Sequence, residues 1–322
     1  MRVSLKTRIS QDYVSEITVL IALIVLGVGL SIASPYFLNF RNLMNIGLFS
    51  SIMGTAATSM TMCLLAGGID LSVGSVMALS GVVVAVTATK TGNIFLILGS
   101  GLAVGIACGM FNALMITRGK INSFITTLSS MLIFRGFAYL YTDGGSVICS
   151  NPFLKWLGRG YIIGIPVPLI IMIACFIVFG FILAKTEFGR NVYSVGGNAS
   201  ASFLAGINVA RTQFFIYVIS GMMAGLSGIL ITAQSGAGLP QAADGLQMDI
   251  IASVILGGAS LFGGKGNVIG TFLGILILAT LNNGMTLLNI PSFWQLVAKG
   301  AILLLAVVLD VMRSGGYKKN AY

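Results

Sequence analysis

Histidine is absent from this chain of 322 residues, and eight Asp and Glu stand against eighteen Lys and Arg. Without an imidazole there is no Ser–His or Cys–His pair for nucleophilic catalysis, and zinc loses one of its usual ligands. The four cysteines, Cys63, Cys108, Cys149 and Cys175, form no Cys-x-x-Cys spacing. Three lie within apolar runs, and Cys149 has no evident disulfide partner. A metal site of the zinc type is therefore excluded. A phosphate-cradling loop is missing too. The nearest candidate, Gly263-Gly264-Lys265-Gly266, has Ala259 where the leading glycine belongs and Gly266 where Ser or Thr belongs, so the chain does not bind ATP by that route. Paired acids for intramembrane proteolysis are also wanting, since Asp70 and Asp249 occupy different contexts.

Charge as a whole is scarce. Charged residues make up 8% of the chain, where a soluble domain carries roughly 25%. Hydrophobic residues make up 57%, and the mean hydropathy is +1.00. The net charge of +10 does not point to nucleic acid, because the basic residues sit between apolar runs instead of clustering on one polar face. A crossing helix needs about 20 apolar residues. The runs that approach this are 17–34, 43–66, 70–90, 93–117, 123–141, 162–184, 212–234, 248–262, 266–284 and 292–310. The first is read as a retained span, since no small-residue cleavage pattern follows it. The eighth is short, and the break Gly67-Gly68-Ile69-Asp70 has little polar length. Either is a candidate half-crossing covered by protein.

These runs predict an all-α, polytopic membrane protein: one transmembrane domain over 1–322 with about ten transmembrane helices. With the N-terminus in the cytoplasm, Arg118, Lys120, Lys185, Arg190, Arg211 and Lys265 fall inside, together with Arg2, Lys6, Arg8, Arg313, Lys318 and Lys319. Only Arg41, Lys90, Lys155 and Arg159 fall outside. This bias places both termini in the cytoplasm. Two longer connections remain: an external loop, 142–161, whose Asn151–Leu157 stretch with Trp156 suits a short surface helix or an anchored loop, and a cytoplasmic loop, 185–211. Gly101, Gly105 and Gly109, like Gly266, Gly270 and Gly274, recur every fourth residue and predict close helix packing.

Three groups of residues are candidates for function. Arg135, Asp249 and Lys299 are charges within or at the mouths of spans, where a charge costs a few kcal/mol unless it faces protein or water. Asp249 is expected to pair with Lys299 or Arg135, as a passage wall or as a clamp between helices. Asn112, Asn122, Ser123, Thr126, Thr127, Gln234, Asn282 and Asn283 bring amides and hydroxyls into or beside spans. Such groups bind neutral polyols without a counter-ion or hold helices together. In the cytoplasmic loop, Gly196-Gly197 breaks the chain, Asn198 can cap a helix, and Ala199, Ser200, Ala201, Ser202, Phe203, Leu204 and Ala205 make about two turns before Gly206 stops them. A short helix of small residues on the cytoplasmic side is shaped to enter a partner's groove.

The chain resembles the permease subunits of bacterial ABC importers for monosaccharides of the ribose type, over nearly its whole length. The resemblance rests on Gly67-Gly68-Ile69-Asp70-Leu71-Ser72-Val73-Gly74, Phe188-Gly189-Arg190, Gly196-Gly197-Asn198, Gly206-Ile207-Asn208, Leu256-Gly257-Gly258-Ala259-Ser260-Leu261 with Gly263-Gly264-Lys265-Gly266, and Asn282-Asn283-Gly284. Two places depart from the family pattern: Ser200-Ala201-Ser202 stands where Glu-Ala-Ala is usual, and Gln247-Met248-Asp249 stands where Glu-Leu-Asp is usual. The resemblance implies a multi-pass protein of the bacterial cytoplasmic (inner) membrane, not itself an enzyme. It implies a second permease copy or close paralogue, an ABC ATPase subunit that carries ATP and Mg, and a periplasmic or lipid-anchored sugar-binding protein. It makes Asn198 to Gly206 the coupling segment received by the ATPase. It gives no role to Gly68, Asp70, Ser72 and Gly74. Other cargoes stay open: branched-chain amino acids, nucleosides or a signalling sugar derivative. An ion-coupled secondary carrier is the reading from another class, and the few acids within spans stand against it.

Overall fold

The computed structural model describes residues 5–313. Arg2, Lys318 and Lys319, which enter the orientation reading, lie outside the described residues. The elements in chain order are α1 (Leu5–Ala33), α2 (Phe40–Leu65), α3 (Val73–Lys90), α4 (Ile94–Thr117), α5 (Ser123–Leu140), β1 (Val147–Ile148), α6 (Pro152–Arg159), β2 (Tyr161–Ile162), β3 (Ile165–Pro166), α7 (Val167–Lys185), α8 (Glu187–Gly197), α9 (Ala199–Leu204), α10 (Val209–Ser235), β4 (Ala237–Gly238), α11 (Leu246–Leu256), α12 (Val268–Leu287) and α13 (Ser292–Arg313).

Among the described residues, nine helices are long and apolar enough to cross a membrane, and α11 is a shorter apolar helix. The eighth run, expected to be short, is this α11. At 1.5 Å per residue, the 11 residues of α11 reach only about 17 Å. Asparagine opens seven helices. Asn39, Asn93, Asn122, Asn151, Asn198, Asn208 and Asn267 each accept a backbone N–H of the first turn through Oδ1. A neutral amide caps as well as a carboxylate and brings no charge to the membrane boundary, which suits a chain so poor in acids.

Helix α10 is the axis of the bundle and packs against α4, α3, α2 and α6. The glycine stripe of α4 faces it. A Cβ on Gly105 would strike the Gly221 carbonyl oxygen and lie 2.9 Å from Gly225 Cα, and one on Gly109 would lie 2.5 Å from the Tyr217 oxygen. The second stripe seats α12 on α11, with Gly270 against Gly257 and Gly274 against the Ser253 carbonyl. Both stripes are seams where only hydrogen fits between backbones. Helix α2 is buried over most of its length. Its hydroxyls turn back onto carbonyls of their own helix, as Thr55 does to Ser51 and Thr58 to Thr55, both at 2.7 Å, so no donor is left bare in an apolar core.

The outer end of the bundle carries β1 paired antiparallel with β4, the β2–β3 hairpin, and α6. The Asn151–Leu157 stretch is helical, but α6 docks on protein: Leu154 and Leu157 are buried, and a Cβ on Gly158 would strike the Ala233 carbonyl. Arg159 donates from Nε to Gln234 O at 2.6 Å and from Nη2 to Ser235 O at 3.0 Å. It thereby caps the C-terminus of α10 with a positive charge where the helix dipole favours one.

The inner end is marked by a meeting of three backbones. Gly264 N donates to Leu65 O at 2.8 Å. Gly196 has no room for a Cβ against the same Leu65 carbonyl, and a Cβ there would also lie 2.8 Å from Gly264 N. Two segments run between the ends as part irregular chain and part helix. The chain leaves Leu65 at the inner end, stays non-helical to Ser72, and continues as α3 toward the outer end. The other leaves β4 at the outer end, stays non-helical through Gly245, and reaches the inner end as α11. The short α11 and the turns that lead into it together make the tenth crossing.

Candidate functional site

The two interruptions meet in the middle of the bundle. Helices α3 and α10 run parallel: Gly81 lies against Thr232 and Gly228 against Met77, and Ser220 meets Asp70. Gly74 therefore sits about 15 Å from the outer end of α10, itself about 40 Å long. A Cβ on Gly74 would lie 2.5 Å from Gln247 Oε1 and 2.6 Å from Ala243 O. The first turns of α3 and α11 thus abut, and glycine is the residue that permits it.

Asp70, 1% exposed, organises the first interruption. Its Oδ1 accepts from Ser72 N at 3.0 Å and from Ser72 Oγ at 2.6 Å, and its Oδ2 accepts from Ser220 Oγ at 2.6 Å. Ser72 Oγ in turn accepts from Asn112 Nδ2 at 2.8 Å. A carboxylate here is held by charge-assisted hydrogen bonds and the N-terminus of α3, with no cation paired to it among the described ion pairs. The motif of Gly68, Asp70, Ser72 and Gly74 thereby acquires a physical role, which is to tie the start of α3 to α4 and α10. Gly68 completes it, lying against the Tyr217 hydroxyl. Asp70→Ala strands Ser220 and the Ser72 N–H in the core, and each lost bond to a charge is worth about 1.5–3 kcal/mol. The expected outcome is a drop in the melting temperature of the solubilised protein. Asp70→Asn keeps the acceptor geometry in part and should show a clearly smaller drop.

Arg135 serves the second interruption. From α5 its Nη1 donates to the carbonyls of Pro240 and Ala242, both at 2.7 Å, and its Nη2 lies 3.9 Å from Asp244 Oδ1. Of the two partners considered for Asp249, it meets Lys299: Nζ is 2.6 Å from Oδ2, with the side chains 28% and 11% exposed. This pair joins α11 to α13. Removing one partner from a largely buried pair costs about 3–5 kcal/mol. Asp249→Lys or Lys299→Asp alone should therefore reduce the amount of folded protein sharply, and the double reversal should recover most of it. No recovery in the double variant, read by size-exclusion profile, contradicts the pairing.

Of the eight amide and hydroxyl candidates, Asn112 and Thr127 meet at the first interruption, and the eight do not converge on one site. Asn112 belongs to the Asp70 network. Asn122 and Ser123 open α5, with Asn122 as its cap. Thr127 bonds Ser123 O at 2.8 Å, and Thr126 is buried with its hydroxyl unpartnered. Gln234 ends α10 near the outer face. Asn283 exchanges amide bonds with Asn42 at 2.9 and 2.8 Å, which fastens α12 to α2, and Asn282 is buried beside it. They are spread over four helices: Asn112 and Thr127 reach the 69–72 stretch, Asn122 is a cap and Asn283 a link, and Thr126, Gln234 and Asn282 each carry a buried polar atom without a partner. Gln241 and Asp244 fall between the seventh and eighth apolar runs, and the sequence gives them no role.

At the inner end, the segment expected to couple, Asn198 to Gly206, forms α9. Asn198 Oδ1 accepts Ala201 N at 2.9 Å, and Ser202 is buried and bonded to Ser194 at 2.9 Å. Gly206 closes the turn at φ +85°, with open space around it. The helix has six residues, one shorter than the sequence suggests, because Ala205 already serves as its cap. Phe203 and Leu204 are 71% and 85% exposed, outside any crossing segment. A groove of about 530 Å³ beside them is lined by Phe203, Gly206, Val209 and the inner end of α4. Among the described residues, no group of His, Cys, Asp or Glu is placed to hold a metal ion.

Crossing helices, the abutting first turns of α3 and α11 inside the bundle, and a short helix projecting from the inner end define an integral membrane permease. The chain belongs to the family described as the permease component of the branched-chain amino acid transport system, whose model matches residues 42–307. It is 42% identical over 296 residues to the ribose import permease protein RbsC of Bacillus subtilis, covering 91% of this chain and 92% of that one. It is 40% identical over 295 residues to RbsC of Escherichia coli K12, covering 90% and 92%. It is 38% identical over 295 residues to the L-arabinose ABC transporter permease protein AraH of Azospirillum brasilense, covering 92% and 87%. No solved structure matches the chain.

Proposed function

We propose that this chain is the membrane-spanning permease of an ATP-driven importer of the bacterial cytoplasmic membrane and that its cargo is a monosaccharide, a ribose-like pentose or a hexose. The near-full-length likeness to ribose and arabinose permeases carries this reading. In it, two copies of the chain, or this chain and a close paralogue, frame the passage. A separate ABC subunit binds ATP and Mg, and a periplasmic or lipid-anchored protein delivers the sugar.

Work enters through α9. The Ser194–Ser202 bond joins α9 to α8, whose last turn sets Gly196 on the backbone of Leu65 and Gly264. From Leu65 the chain leads directly to Asp70 and α3, and from Gly264 it leads back to α11. One displacement at α9 therefore bears on the starts of both α3 and α11 at once. Alternating access follows as a shift of the two abutting helix starts. Reconstituted with its ATPase and binding protein, the complex should take up labelled D-ribose or L-arabinose on ATP addition. Uptake of leucine and not of any pentose or hexose would move the cargo to the amino acids that the family description names.

A further inference from the structure

The membrane interior offers no hydrogen bonds, so non-helical backbone at that depth must be buried in protein or bathed in water. The stretch 239–245 is only half covered. Arg135 answers the carbonyls of Pro240 and Ala242 from one side. On the other side Gln241, Asp244, Gly245 and Met248 are exposed, and the Asp244 side chain is 84% exposed with its nearest cation 3.9 Å away. Ala243 abuts Gly74, so this surface lies near mid-depth. A carboxylate turned to hydrocarbon there costs a few kcal/mol at least. The face between α5 and α13 therefore does not look onto lipid.

We propose that this face, with Gln241 and Asp244 as its polar contacts and Met248 as its apolar floor, is the water-filled wall of the passage and binds the hydroxyls of a neutral polyhydroxyl solute. The inference rests on the permease reading and names the surface that reading lacks. The chemistry of the lining sets the ligand class. Both neighbouring cations are engaged, Arg135 on backbone carbonyls and Lys299 on Asp249. No free positive charge remains on this face among the described residues to receive a carboxylate or phosphate. What is offered is a carboxylate acceptor and an amide that both donates and accepts, which matches a ring of hydroxyls. Met248 presents a surface for the C–H face of such a ring.

Cysteine accessibility in the assembled transporter tests this. Asp244→Cys and Gln241→Cys are compared with Ile177→Cys, an exposed position midway along α7, with the unaltered chain as baseline. The probe is a negatively charged methanethiosulfonate that cannot enter lipid. Because only a thiolate reacts and a thiolate needs water, positions 244 and 241 should be modified on the order of ten-fold faster than 177, and D-ribose or L-arabinose should slow them. If both positions are as inert as 177 in a complex that still imports sugar, the wall is elsewhere. Rapid labelling that no sugar slows overturns the proposal. If the unaltered complex imports no sugar at all, the permease reading fails independently of the labelling.

Discussion

Replacing Gly105 with leucine should remove the folded protein from the membrane. The added side chain has nowhere to go. Its first carbon would already press on the Gly221 carbonyl and the Gly225 backbone, and backbone, unlike a side-chain end, does not swing aside. The α4–α10 seam must then open, which costs more than about 3 kcal/mol by the measure of over-packed cores, and it must open along a helix that supports α2, α3 and α6 as well. Gly99 is the control on the same helix. A Cβ there meets nothing within 4 Å, so Gly99→Leu should leave the level of folded protein unchanged. The two variants are compared by the monodisperse peak each yields after solubilisation.

Aspartate at both Phe203 and Leu204 should abolish uptake without harming assembly. Both side chains are largely exposed at the inner end, so the bundle loses little when they change. A partner groove that takes two apolar side chains, however, would have to desolvate two carboxylates. The expected result is a permease that inserts and purifies normally, fails to retain the ATPase, and imports nothing on ATP addition. Gly206→Val should give a similar loss by another route. At φ +85° a β-branched residue is strained, and the turn that closes α9 is lost while the surroundings stay open. If either variant retained the ATPase and transported at the unaltered rate, α9 would not be the point of coupling.

Much of this arrangement is readable from residue order alone, and the reasons it stops being readable are physical. The long apolar runs fix nine helices because a bilayer tolerates few alternatives to a helix. Asn198 and Gly206 mark the ends of α9 because capping is a local affair. The interruption before α11 is hidden because Leu239 to Gly245 reads as an external turn. Only the insufficient length of α11 signals that this turn must descend to meet it. Arg135 finds its partners in two backbone carbonyls, which no side-chain pattern announces. The amides and hydroxyls cannot be sorted by sequence for a related reason. Asn42 and Asn283 lie far apart in the chain and satisfy each other, so their polarity says nothing about solute. Exposure at depth identifies the passage wall, and exposure is a property of the fold.

The most direct test of energy arriving through α9 is uptake by proteoliposomes of defined composition. With the ATPase, the binding protein and ATP present, the permease should accumulate labelled pentose above the external concentration. With the permease alone, facing an imposed proton or sodium gradient, the internal sugar should never exceed the external level. Accumulation in that second arrangement would contradict a chain driven from outside and make it a carrier in its own right.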